Sequence, residues 1–264
     1  MTIKVRAAVD DSAPLKSSQK HAAKVTLAQV VASYDAQKAQ RERHGEWAAA
    51  FFYRPLSFLL TPLCARLGLT PSMISCLVFL AALAPLWLVF DLREQAYLWV
   101  GIIGIGIGIL DCLDGNLARV LNAASAQGAY LDFLADILVR LSLYLCTGLM
   151  IDLGPERAEI FSGWASVVAL LGVIFALMAR LCRLYTQAAD GGGDPYAGSD
   201  ERKIARGFLM RYLFPALSGF DSAVPIIILI AGFYNCLSYA LVWFVALSFS
   251  DFIYTQISLK GRFT

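Results

Sequence analysis

Apolar runs recur along this chain at residues 73–90, 97–110, 138–151, 160–184, 223–233 and 237–257. Nothing else in the sequence limits the fold as strongly. A segment that crosses a bilayer must satisfy its backbone N–H and C=O groups internally, which a helix does within one segment. Such a helix needs about 20 mostly apolar residues. The second and third runs reach that length only if the polar stretch between them is also helical, and the fifth only with its flanks. The expected fold is an all-α integral membrane protein, a six-transmembrane-helix bundle. Composition agrees, with 58% hydrophobic and 16% charged residues, against about half and a quarter in soluble domains.

Residues 1–50 are polar and are expected to form an N-terminal cytoplasmic segment, with residues 51–264 as the six-span body. Helix formers predict a cytoplasmic helix over 24–47, while the first 23 residues have a disordered composition. The stretch "AAAFFYRPLSFLLTPLCARLGLTP" mixes aromatics, Arg54 and Arg66 with apolar residues, which suits an interfacial helix. Pro55 and Pro62 argue against an uninterrupted span there. Thr70 followed by Pro71 reads as an N-cap and helix start. No apolar h-region precedes these elements, so no cleaved signal peptide is expected.

Six spans put both termini on one side, with the loops after the second and fourth spans. Of 22 Lys and Arg, 19 fall on that side: ten before Pro71, Arg119, six from Arg180 to Arg211, then Lys260 and Arg262. Arg93 and Arg157 lie in the opposite loops, and Arg140 lies inside the third span. This bias marks the cytoplasmic face. The expected location is a bacterial plasma membrane, and nothing points to nucleic acid as a partner.

The six cysteines form no CxxC pair and read as buried apolar residues. His21 and His44 both lie in the polar N-terminal segment. In "GIIGIGIGIL", Gly104 and Gly108 have GxxxG spacing, which permits close helix approach in lipid. The loop "AADGGGDPYAGSDERK" reads as a flexible turn.

The stretch "GILDCLDGNLARVLNAASAQGAYLDFLAD" then sets four carboxylates, Asp111, Asp114, Asp132 and Asp136, against these apolar runs. A charged side chain at the bilayer centre costs roughly 2.5–3.5 kcal/mol on insertion scales. At about 100° per residue, Asp111, Asp114, Gly115, Ala118 and Arg119 share one face of the second span's cytoplasmic end. Gly128, Asp132, Asp136 and Arg140 share a face of the third. The short link "LNAASA" allows the two faces to meet, with all four carboxylates converging. Oxygen-only ligands suit hard divalent cations, Mg²⁺ or Mn²⁺. Gly115 leaves room for a bulky ligand, Arg119 offers a donor fork for phosphate oxygens, and Ser125 offers a hydroxyl.

The pattern Asp111-x2-Asp114-Gly115-x2-Ala118-Arg119-x8-Gly128-x3-Asp132-x3-Asp136 resembles, in full, the signature of the CDP-alcohol phosphotransferases. "LTPSMIS" is similar to that family's start of the first span, although Ser72 stands where Asn is common. The resemblance covers the chain from about Phe51 onwards. It implies transfer of a phosphatidyl or substituted phosphoryl group from a CDP-linked donor, CDP-diacylglycerol above all, to an alcohol with release of CMP. It implies that Asp111, Asp114 and Asp132 hold one divalent ion and Asp114, Asp132 and Asp136 a second. Gly115, Ala118, Arg119, Ser125 and Gly128 would line the CDP site, and Asp136 would be the general base.

The acceptor stays open at this level. Arg140, Arg180 and Arg183, with Arg202, Lys203, Arg206 and Arg211, could form a pocket for a phosphorylated alcohol or simply anchor helix ends. A free alcohol, or a CDP-alcohol donor used with diacylglycerol, fits as well. A homodimer is compatible with this reading. A transporter using the carboxylates as a cation site, or a catalytically silent membrane partner, is the alternative.

Overall fold

A computed structural model of the chain describes residues 25–34, 39, 46–154, 161, 163–189 and 219–263. The described residues are helical throughout, with turns between. Helix α1 (Leu27–Ala32) starts at a capping box: Thr26 Oγ1 accepts the Gln29 N–H at 3.4 Å, and the Thr26 N–H reaches Gln29 Oε1 at 2.9 Å. It ends at Ser33, whose hydroxyl donates to the Val30 carbonyl at 2.7 Å. Of the helix expected over 24–47, this short piece, Ala39 and Trp47 are described as helical; residues 35–38 and 40–45 lie outside the described set.

A π-helical turn, Ala49–Tyr53, leads into α2 (Arg54–Arg66). The polarity of α2 is inverted. Arg54, Ser57, Thr61 and Ala65 are buried, while Leu56, Leu59 and Leu63 are exposed. These spacings of three and four residues define one inward polar stripe. Apolar side chains gain nothing by leaving lipid, whereas polar ones gain partners inside.

The first expected span is α3 (Pro71–Ala81) followed by α4 (Ala84–Leu92). Thr70 Oγ1 caps α3 by accepting the Met73 N–H at 3.3 Å, and Pro71 occupies its first turn. The interruption at Ala82 and Leu83 has a local cause. Pro85 has no N–H to give the Ala81 carbonyl, and its ring crowds that oxygen.

Helices α5 (Ala96–Val120) and α6 (Ala126–Leu153) carry the second and third spans, and both include the aspartate segments as helix. Helix α7 (Ala165–Ala189) follows. Asp152 near the end of α6 caps it, accepting the Ala165 and Ser166 N–H groups at 3.0 and 2.8 Å. A 3-10 turn (Gly219–Ala223) leads into α8 (Val224–Phe233), and α9 (Leu237–Phe263) ends the described chain.

Among the described residues, five helical stretches are long and apolar enough to cross a membrane: Pro71–Leu92, Ala96–Val120, Ala126–Leu153, Ala165–Thr186 and Leu237–Ile257. The expected fifth span is the shorter apolar stretch Phe220–Phe233 among the described residues. At 1.5 Å per residue it extends about 21 Å, less than the ~30 Å of a hydrocarbon core.

Helix α5 is the spine of the bundle, packed against α2, α3, α4, α6 and α8. Its glycines set those distances, but against different elements rather than one partner helix. A Cβ on Gly104 would lie 2.8 Å from the Pro225 Cβ, and one on Gly108 would strike the Tyr53 ring, whereas Gly106 faces nothing within 4 Å. The Tyr53 hydroxyl donates to the Ser222 carbonyl at 2.9 Å, and burial pushes its ionisation far above the ordinary range, with Cys112 adding to the effect. Val89, Val100, Tyr144, Ile228 and Phe244 fill the core at one end. At the aspartate end, Val25, Val30, Ile74, Leu113 and Leu117 form a second cluster, which brings α1 onto α5.

Candidate active site

The carboxylates sit near the facing ends of α5 and α6. Helix α5 stops in a Schellman turn: Asn122 adopts φ 48°, the Ala123 N–H reaches the Ala118 carbonyl at 2.9 Å, and the Asn122 N–H reaches that of Arg119. Helix α6 restarts at once, with Ser125 Oγ accepting the Gly128 N–H at 3.0 Å as N-cap. The link between the two aspartate pairs is thus fixed by two caps. Ser125, read from sequence as a ligand hydroxyl, has this structural duty.

The four aspartates are held differently. Asp114 is buried and accepts a hydrogen bond from the Ser75 hydroxyl of α3 at 2.7 Å. Asp111 and Asp132 are exposed. Asp111 is acted on by the like charges of Asp114, Asp132 and Glu46, with Arg54 opposing them. Asp136 is partly exposed and ion-paired to Arg180 of α7. Asp111, Asp114 and Asp132 are therefore electrostatic neighbours, while Asp136 is engaged from α7.

Among the described residues, no group of three or more His, Cys, Asp or Glu side chains is gathered closely enough to hold a metal ion. The donor set still suits a divalent cation. Every candidate ligand is an oxygen, and around Asp111 three carboxylates meet one guanidinium, an excess of negative charge that a hard cation would relieve. Asp114 and Asp136 are meanwhile satisfied by Ser75 and Arg180.

Beside the carboxylates lies an open cavity of about 710 Å³, lined by Ser33, Gly115, Ala118, Arg119, Asn122 and Ala124. This volume is in the range of small-molecule sites. Of the residues expected to line a CDP site it brings together Gly115, Ala118 and Arg119; Ser125, Gly128 and the aspartates do not line it. A Cβ on Gly115 would project towards the Arg119 guanidinium at 3.4 Å, so the glycine keeps the space in front of that side chain clear. A Cβ on Gly128 would lie 3.1 Å from Ser125 Oγ and 3.5 Å from Ser72 Oγ.

Arg119 is fixed from behind. Its Nη2 donates to Asn116 Oδ1 at 2.7 Å. The same oxygen accepts Arg54 Nη1 at 3.2 Å, and Arg54 Nη1 also reaches the Cys112 carbonyl at 3.1 Å. Asn116 Nδ2 donates to Ser57 Oγ at 2.9 Å. The polar stripe of α2 thus terminates on a buried asparagine that orients the cavity's arginine. Sequence reading missed Asn116, Ser75 and Ser33. The stripe Arg54, Ser57, Thr61 in an apolar helix was the signal that could have exposed the first.

Each of the three expected acceptor arginines is engaged by a different aspartate. Arg140 pairs with Asp221 at 2.5 Å, Arg180 with Asp136, and Arg183 with Asp251 through two bonds of 2.8 and 3.0 Å. Arg183 also donates to Thr255 Oγ1 at 2.9 Å. Of the three, Arg180 touches the aspartate cluster; it also lies over the Phe133 ring, 4.6 Å from its centroid. Arg202, Lys203, Arg206 and Arg211 lie outside the described residues.

A search of curated proteins found no match. The CDP-alcohol phosphatidyltransferase family profile matches residues 68–247, well over half of the chain, and encloses all four aspartates and the glycine-arginine wall of the cavity. On that match, this helical, membrane-type chain belongs to the CDP-alcohol phosphatidyltransferase family, a class of phosphotransferases that join CDP-activated groups to alcohols.

Proposed function

We propose that the protein transfers a phosphatidyl group from CDP-diacylglycerol to an alcohol and releases CMP. The observation supporting this is the juxtaposition, on α5 and α6, of the family's carboxylates with a cavity walled by Gly115, Ala118 and Arg119. Arg119, oriented by Asn116, binds donor phosphate oxygens as a rigid fork. Asp136 takes the acceptor hydroxyl's proton as that oxygen bonds to the β-phosphorus, and the bond to the CMP oxygen breaks. A positioned base contributes about 10²–10⁴-fold to such a step. Arg180 keeps Asp136 oriented before substrate arrives and stands beside the approaching acceptor.

Two Mg²⁺ or Mn²⁺ ions would be held by Asp111, Asp114 and Asp132, and by Asp114, Asp132 and Asp136, with Ser75 releasing or sharing Asp114. When bound they would supply charge neutralisation for the diphosphate. Six crossings, with both termini and the site on the cytoplasmic side of a bacterial plasma membrane, complete the reading; residues 220–233 form the short fifth span. A homodimer is compatible with it.

The test is CMP release from CDP-diacylglycerol by purified protein, measured against a panel of free and phosphorylated alcohols. Absence of CMP release with every alcohol would refute the reading. A phosphorylated acceptor gives a specific expectation: Arg180→Ala raises its KM several-fold, because the ground-state contact is lost. An unchanged acceptor KM returns Arg180 to orienting Asp136 alone.

A further inference from the structure

The cavity has one wall that the family match does not contain. Ser33 lies far upstream of residues 68–247, yet it lines the same cavity as Gly115, Ala118 and Arg119. Its position is built rather than incidental. Val25 and Val30 are buried in one cluster with Ala65, Leu113 and Leu117, which pins α1 to α2 and α5. Tyr34, the next residue, meets the Phe58 ring edge-to-face at 5.4 Å and carries the Arg54 guanidinium over its own ring at 5.2 Å. The segment is held on both sides of Ser33.

We infer that residues 25–34 form a wall of the donor pocket and that Ser33 is a donor-recognition residue contributed by the chain's N-terminal segment. The chemistry it offers is specific. Its hydroxyl hydrogen is directed at the Val30 carbonyl at 2.7 Å, so its oxygen presents lone pairs to the cavity. It therefore selects a ligand group that donates, an exocyclic amine or a ribose hydroxyl, while Arg119 opposite it selects phosphate oxygens. A cytidine diphosphate unit carries both kinds of group. The inference rests on the reading of this cavity as the donor site, and it adds that the N-terminal segment helps to make that site.

The experiment uses the full chain in nanodiscs, with CMP as the binding probe and CDP-diacylglycerol as the donor. Ser33→Trp fills the cavity from the α1 side. It should weaken CMP binding and raise the donor KM by at least about tenfold, with the acceptor KM unchanged. Val31→Trp, at a position 49% exposed on the same short helix, should match wild type in both. Ser33→Ala removes the lone pairs together with the bond to the Val30 carbonyl, leaves the cavity's shape, and should raise the CMP Kd about three- to tenfold; it carries the test if the tryptophan variant does not fold. CMP binding unchanged in both Ser33 variants overturns the inference. CMP binding that depends on Ser33, in a wild type that releases no CMP from any donor and alcohol pair, upholds the pocket and refutes the proposed reaction instead. A wild type that binds no CMP overturns both.

Discussion

Replacing Asn116 with leucine should disarm the donor site without touching a carboxylate. Asn116 is 1% exposed and accepts from two guanidiniums at once, Arg119 at 2.7 Å and Arg54 at 3.2 Å. Leucine keeps the same branched heavy-atom skeleton, so the change chiefly removes hydrogen bonds. A buried bond to a charged group is worth about 1.5–3 kcal/mol. Arg54 retains the Cys112 carbonyl, and Arg119, partly exposed, can recover water, so the net stability loss should be about 2–3 kcal/mol. For function, the loss is that of Arg119's orientation. If one charged bond's worth of binding is forfeited, the donor term falls by roughly 10- to 100-fold at 1.4 kcal/mol per decade. It should appear as a raised donor KM, with the acceptor KM unchanged. Asn116→Asp keeps the oxygens that both arginines use and should stay within about threefold of wild type, the Ser57 hydroxyl turning to donate. The assay is CMP release at varied donor and fixed acceptor, beside melting temperature in detergent. A leucine variant with normal donor KM, or an aspartate variant no better than leucine, refutes the argument.

Gly104→Ala should destabilise by about 1–3 kcal/mol, because its Cβ would overlap the stiff Pro225 ring. Gly106→Ala, with nothing within 4 Å, should be neutral or stabilise by up to about 1 kcal/mol; equal melting shifts for the two would contradict the packing described for α5. Asp136→Asn should lower kcat by at least about 10²-fold while donor binding changes much less; near-normal turnover would remove Asp136 as the base. Thorough chelation should abolish CMP release, and Mg²⁺ or Mn²⁺ should restore it; full turnover in metal-free buffer would dispose of the two-ion proposal.

What the sequence determined by itself is what is written locally. The apolar runs place α5, α6, α7 and α9 because span length and hydropathy belong to one segment. Thr70-Pro71 starts α3 where the cap and proline rules put it. The aspartate signature is legible for the same reason: its residues lie one or two turns apart on adjacent helices with a short link. Even the interruption between α3 and α4 had a local signal in Pro85. Partner choice was not legible. Arg140 with Asp221, Arg180 with Asp136, Asp114 with Ser75 and Asn116 with Arg54 each join elements whose approach is set elsewhere, by the glycines of α5 and the clusters around it. Ser33 reaches the cavity because Val25 and Val30 bury against α2 and α5. Inside a bilayer a charged or polar group must find its partner within the protein, and which groups come within reach depends on how the helices pack.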